Sequence, residues 1–363
     1  MIQPSPEELK AAFQKIEASS PLAASDDSRQ SETIYDIVKS LPEASTYHRL
    51  LEQHPNLIEL LADASNGEYT LFLPVDAAWE REPGLAERVA DTPEAGVLSM
   101  HISESFINEA YLRSMTNVPT IYAPNTCNGP QTFSVRLTER GQEIGKSGRF
   151  TQPSIRASNG IIHSIDEVIH PPHSLLTALR DRSNYSILLR AMRESGFEDD
   201  LAANSGKGGT LFAPSNQAFA SLGPDALHFL TEEDGGKTYL RALLKLHFCP
   251  GSTFYTNFLW PQNTGGPRRT SADKDRILKG KIKMELPSSL TTGGEPMNLA
   301  ISITRYMSLI TMAVTSAPVV EQDIGGNDYV AQGINDVLLP GGVVGKGSQD
   351  VISTIRNAFG PFI

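Results

Sequence analysis

Thr70-Leu71-Phe72-Leu73-Pro74-Val75-Asp76-Ala77-Ala78-Trp79 is followed 140 positions later by Thr210-Leu211-Phe212-Ala213-Pro214-Ser215-Asn216-Gln217-Ala218-Phe219. Two further blocks recur in the same order. Val97-Leu98-Ser99-Met100-His101-Ile102 returns as Leu243-Leu244-Lys245-Leu246-His247-Phe248, and Asp166-Glu167-Val168-Ile169-His170-Pro171 returns as Asn335-Asp336-Val337-Leu338-Leu339-Pro340. The offsets drift from 140 to 146 to 169, as insertions between blocks require. Self-similarity of this kind marks repeated architecture. The chain is a tandem duplication of one folding unit, and its 363 residues suit two domains.

Each unit reads alike. It opens with helical patterning, Ile34, Ile37, Val38 and Leu41 in the first and Leu175, Leu176 and Leu179 in the second. A Thr-Leu-Phe strand follows, and Pro74 or Pro214 halts it because proline cannot donate to a ladder. Asp76 and Asn216 are expected to N-cap the next helix. A His-bearing helix end comes next, then alternating strands such as Thr132–Leu137 and a last Ile/Val-rich strand. Helices in the first half and strands in the second predict an α+β class.

Composition excludes several functions. With 39% apolar and 20% charged residues the chain is globular, and no apolar run nears the 18 residues of a membrane span. A net charge of −11 makes it a poor nucleic-acid binder. Two cysteines make neither a disulfide scaffold nor a thiolate zinc site. The start, Met1 to Glu8, has neither a basic nor an apolar stretch, so the expectation is either an intracellular protein or a mature chain without its leader.

The Thr-Leu-Phe-x-Pro block, the His-bearing helix end and Asn159-Gly160-Ile161-Ile162-His163-Ser164-Ile165-Asp166-Glu167-Val168 together resemble the fasciclin (FAS1) domain. The second unit departs at the third block, with Gln332 where His163 sits and Asn335 where Asp166 sits. The resemblance covers roughly residues 31–341 and is nearest to secreted two-domain fungal members. It implies two tandem α+β domains, each a β-sandwich-like wedge with packed helices. The expected division is an extension over 1–30, domains over 31–172 and 173–341, and a helical tail over 342–363. The Pro171-Pro172 join is short and stiff.

Among individual residues, His247 lies on an apolar helix stripe with Leu240, Leu243 and Leu244, so it and His101 read as structural, each imidazole donating to a backbone carbonyl. His163, in an alternating strand, is read as structural too. His163, His170 and His173 do not make a metal site across a proline pair, and no cofactor is expected. The clusters Gly206-Lys207-Gly208-Gly209 and Gly341 to Ser348 both fail the phosphate-loop pattern, and hydrolase, zincin and dinucleotide fingerprints are absent. Pro267–Lys283 is a local charge reversal holding Arg268, Arg269, Lys274, Arg276, Lys279, Lys281 and Lys283. It reads either as an anion-facing loop for an acidic polysaccharide or protein, or as a solvated hairpin edge. Phe254, Tyr255, Phe258 and Trp260 beside it could line an aromatic-ligand pocket or cover a core. Cys127 and Cys249 fall in different units and are not expected to pair. Val351, Ile352, Ile355 and Phe359 form a docking stripe with Ser348 as cap, and Asn184-Tyr185-Ser186 is a lone glycosylation triplet.

Two functional classes follow. The resemblance implies an extracellular or cell-surface adhesion protein binding protein or glycan partners, with no catalytic residue named. The alternative is an accessory factor or catalyst in fungal polyketide-pigment biosynthesis. It would hold an aromatic small molecule at the domain junction with His173, Tyr255 and the neighbouring aromatics.

Overall fold

The computed structural model describes residues 26–363 apart from 66, 92–95, 128, 139–140, 257–278, 341 and 344–349, with a few positions before 26. The first half contains strands β1 (Tyr69–Pro74), β2 (Ile102–Ser103), β3 (Asn117–Pro119), β4 (Thr132–Thr138), β5 (Gly141–Ile144), β6 (Ile155–Ala157) and β7 (Gly160–Ile165). They form a four-stranded sheet in the order β2-β1-β7-β6 and a three-stranded sheet β3-β4-β5. The second half contains β8 (Gly209–Pro214), β9 (Phe248–Pro250), β10 (Lys279–Thr292), β11 (Glu295–Tyr306), β12 (Leu309–Val314), β13 (Ala317–Gly325) and β14 (Val330–Ile334), in one sheet ordered β10-β11-β12-β13-β14-β8-β9. Each half is closed by a parallel pairing of its first and last long strands. Phe72 stands opposite His163 in one and Phe212 opposite Gln332 in the other.

The interiors are separate. One apolar cluster lies between the helices and β1 of the first half, a second lies beneath β3 to β5, and a third draws only on residues from Leu175 onward. Phe72 and Phe212 occupy like positions and are both fully buried, as the duplication requires. The tail helix Val351–Phe359 inserts Ile355 and Phe359 into the third cluster, and Arg356 lies 4.7 Å over the Phe229 ring. Asp350 caps that helix by accepting the Ser353 amide, whereas Ser348 lies outside the described residues.

Local chemistry sets the helix starts. Thr33 and Asp36 form a capping box on Ile34–Ser40, and Ser174 accepts the Thr177 amide at the head of Leu175–Arg180. Both opening helices are then tied to the far end of their own unit. Asn159 Oδ1 accepts the Ile34 amide and Asp328 Oδ1 accepts the Leu175 amide, each at 2.8 Å. Gly160, beside Asn159, has no room for a side chain: a Cβ would stand 2.0 Å from the Tyr69 carbonyl oxygen.

The expected caps at Asp76 and Asn216 need correction. The capping positions are Val75 and Ser215, because the chain stays extended for one residue beyond the proline. Asp76 instead accepts the Ser45 and Thr46 amides at 3.3 and 2.8 Å, and Asn216 accepts the Ile187 amide at 2.9 Å. Each therefore caps a neighbouring helix some 30 residues away in sequence and pins it to the strand exit.

The two buried histidines complete the frame. His101 Nδ1 donates to the Val97 carbonyl at 2.8 Å while Nε2 accepts the Ile169 amide at 3.0 Å. His247 repeats this with Leu243 at 2.7 Å and Leu338 at 3.0 Å. One nitrogen must donate and the other accept, so the ring is neutral and its tautomer fixed. Burial pushes both pKa values down to about 4.

Below pH 6.5 the unfolded chain takes up protons that these folded imidazoles refuse. Their stabilisation is therefore complete above pH 6.5 and falls as the pH drops towards 4, by about 1 kcal/mol per pH unit for each ring. His247→Ala is expected to lose about 2–4 kcal/mol at pH 7 through the cavity and the abandoned Leu338 amide, and to flatten the acid slope. Denaturant unfolding between pH 4 and 8 measures both. His163, buried and with its pKa also lowered by burial, keeps part of the slope, so an acid slope unchanged by replacement of both histidines would contradict this account.

Candidate functional site at the domain junction

The loops that reach the junction are set by two threonines. The Thr70 hydroxyl donates to the Ser105 carbonyl at 2.6 Å and accepts the Ile107 amide at 2.8 Å. Thr210 does the same with Ser252 at 2.5 Å and Phe254 at 2.8 Å. The strand residue opposite each phenylalanine then grips the same loop: His163 Nε2 is 2.7 Å from the Ile107 carbonyl and Gln332 Nε2 is 2.9 Å from that of Phe254. His163 also stacks on Phe72, with ring centroids 5.3 Å apart. An amide and an imidazole thus do one structural task, since both put a donor at the end of a planar group.

Next to this grip the copies diverge. In the first, Ser154 donates its hydroxyl to the Glu109 carboxylate. In the second the acid and the alcohol exchange places: Thr256 donates its hydroxyl to the Asp323 carboxylate. Asp323 gathers three more donors, from the Thr256 amide at 2.9 Å, Gln332 Nε2 at 2.7 Å and Asn117 Nδ2 at 2.7 Å. Its backbone is left-handed at φ 58°, a conformation Asp adopts more readily than most residues. Asn117 belongs to the first half of the chain, so this carboxylate joins the two.

Around it the junction is polar. Thr116 and Thr256 hydroxyls meet at 3.0 Å, and Arg305, 1% exposed, donates to the Ser114 carbonyl across the junction and to the Met307 carbonyl. Burial pushes the Arg305 pKa down to about 10 and raises that of Asp323, the four donors pulling the carboxyl back. Farther out, Thr126 donates to the Asn327 carbonyl at 2.6 Å, and the Asn327 amide donates to the His173 carbonyl at 2.8 Å, clamping the linker.

The residues singled out from the sequence fall in several places. His101, His163 and His247 are buried on backbone groups as described. His173 is exposed and contributes its carbonyl to the linker clamp. Phe254 is in the interior of the second half, and Tyr255 is buried at the junction with its hydroxyl bonded to Thr132. Phe258, Trp260, Arg268 and Arg269 lie outside the described residues. Cys127 and Cys249 form no disulfide, Cys127 approaches the Thr253 hydroxyl at 3.7 Å, and burial pushes the Cys249 thiol up to about 12. Among the described residues no group of three or more His, Cys, Asp and Glu is placed to hold a metal ion, and no helix is long and apolar enough to cross a membrane. Sequence patterning does not single out Asp323, Asn117, Thr256 or Arg305. The one available signal was an acid where the first copy has Ser154.

Two like units, each built on a threonine-held loop and an imidazole-pinned helix, define a tandem-domain protein. The fasciclin domain model matches residues 42–171 and again 183–340, and the chain belongs to the fasciclin family, one of adhesion and binding proteins. Aurofusarin biosynthesis cluster protein S of Gibberella zeae is 27% identical over 241 residues, 63% of this chain and 57% of that protein. Stabilin-2 of Rattus norvegicus is 24% identical over 228 residues, 59% of this chain and 15% of its own. The chain thus spans little more than half of the first relative and a small part of the second. A FAS1 domain pair from the insect cell adhesion molecule fasciclin I matches with a TM-score of 0.37 and 18% identity, over 82% of this chain and 97% of that one.

A double-mutant cycle tests the junction. Asp323→Ala removes the shared acceptor of four donors at a half-buried position, with an expected cost of about 2–4 kcal/mol, and Asn117→Ala costs about 1–2 kcal/mol. The two are expected to couple by about 1–3 kcal/mol in equilibrium unfolding, although they lie in different domains. Additive effects would show that Asp323 does not join the halves.

Proposed function

We propose that the protein is a non-enzymatic, two-domain binding protein that recognises a protein or acidic glycan partner outside the cell or at its surface. The observation that carries this reading is how the buried and half-buried reactive groups are engaged. His101, His163 and His247 are bonded to backbone, Asp323 to four donors, and Cys249 is held as a protonated thiol. Groups tied down in this way maintain shape rather than turn over substrate.

Recognition then falls to exposed segments, in keeping with how loops carry function on rigid scaffolds. Lys281 and Lys283 are exposed at alternating positions of β10, so they share one face of the strand. They continue the basic run that includes Arg268 and Arg269. In a chain of net charge −11 this is the segment suited to an acidic partner.

A second reading is favoured by the likeness to aurofusarin biosynthesis cluster protein S. On that reading the protein is an accessory factor in fungal secondary metabolism that binds an aromatic small molecule.

Retention on an immobilised sulfated polysaccharide tests the first reading. Replacement of Arg268 and Arg269 by Glu is expected to weaken binding about tenfold and to reduce its salt dependence. Retention unmoved by the charge reversal discards the basic segment as the contact. Saturable binding of an aromatic polyketide, with a raised melting temperature, would replace the first reading with the second.

A further inference from the structure

Asn184-Tyr185-Ser186 occupies the single 3-10 turn Ser183–Tyr185 and the first residue of the helix Ser186–Ser195. Tyr185 is fully buried and donates its hydroxyl to Glu321 Oε2 at 2.8 Å, which fixes the turn. Asn184 is exposed on the outer side of that turn, its Nδ2 3.4 Å from the same carboxylate. Arg182 Nε holds the other carboxylate oxygen at 2.8 Å. We propose that Asn184 is the attachment site of an N-linked oligosaccharide. This rests on the extracellular reading of the protein.

The chemistry needs the asparagine amide and the hydroxyl two residues on, Ser186 here. The amide nitrogen bonds to C1 of a lipid-diphosphate-linked oligosaccharide, the bond from C1 to the diphosphate oxygen breaks, and the amide loses one proton to a base. The lipid diphosphate is the leaving group. In the folded chain the Ser186 hydroxyl accepts from Asn216 Nδ2 at 2.9 Å, and Asn216 lies 30 residues farther on. The hydroxyl is therefore unengaged while the chain is being made and becomes occupied when the domain closes. Transfer precedes folding, and the fold accommodates the product. Asn184 faces solvent.

The surroundings give the sugar something to cover. The β13–β14 register shifts between Val319 and Glu321, and Val320, at that irregularity, is 51% exposed. Only Ile363 among the large apolar side chains of the described residues is as exposed. A first N-acetylglucosamine on Asn184, beside Glu321, brings an acetyl methyl and an apolar ring face to this strand. The first copy has no acceptor at the matching turn, where Pro42-Glu43-Ala44 precedes Ser45. The modification therefore distinguishes one domain from the other.

The test is to secrete the full chain from a yeast host behind a cleavable leader and weigh it before and after peptide-N-glycosidase. The wild type is expected to lose one oligosaccharide and to keep an aspartate at position 184. Asn184→Gln and Ser186→Ala are expected to abolish the loss, while Ser186→Thr, which keeps the hydroxyl, retains it. Wild type secreted at the mass of the bare chain overturns the proposal, as does an oligosaccharide that persists in both Asn184→Gln and Ser186→Ala. The native host separates this from the reading beneath it. A chain that stays inside the cell while the secreted recombinant is modified overturns the extracellular location and leaves the acceptor site standing.

Discussion

The structure depends on an imidazole that has no charge. His101 and His247 each sit where a helix gives way to a short strand, and each spans from a helix carbonyl to the amide of a segment near the end of the same unit. A buried amide and a helix-end carbonyl would otherwise both lose water without replacement, at a cost of several kcal/mol. A neutral histidine satisfies both with one rigid group. It also closes a long loop, because its partners at Ile169 and Leu338 lie 68 and 91 residues from the ring. The parallel pairing of first and last strands depends on that closure.

The duplicated frame leaves room for divergence where it is not needed for closure. Thr70 and Thr210 set the same loop with the same pair of bonds, and His163 and Gln332 hold it from the same register position. One step along, Ser154 with Glu109 becomes Asp323 with Thr256. The exchange moves a carboxylate from the start of the short helix Glu109–Leu112 to the strand, where Asn117 of the other domain reaches it. A pair that is internal in one copy thereby forms part of the contact between copies.

That contact is polar where an apolar seam would serve stability as well. Buried ion and hydrogen-bond networks often contribute little net stability but specify one arrangement over others, since every member must find its partner. Asp323, Asn117 and Thr256 meet that requirement, and Arg305 adds its bond to the Ser114 carbonyl, in one orientation of the two halves. The Asn327 clamp on the His173 and Thr126 segments acts on the linker in the same sense. The separate apolar interiors make each half a domain, and the junction fixes how they are presented together.

The duplication, the strand ends at Pro74 and Pro214, the helix stripes and the structural character of His101 and His247 were legible in the sequence. All are local or periodic: a proline lacks a donor, and a histidine at i+7 of an apolar stripe must face inward wherever the helix lies. The partners of Asp76 and Asn216 were not legible, because a side chain at a helix start serves its own helix or a neighbour's depending on how two segments pack. Asp323 was missed for the same reason. Nothing within the strand around it distinguishes a solvated acid from a half-buried, fully hydrogen-bonded one, and its donors come from residues as far off as Asn117. Sequence determined the unit and its repetition through short-range sterics and hydrogen-bond supply. Only tertiary structure decided which carboxylates leave water and what they hold, because that choice is made by segments more than 200 residues apart meeting in space.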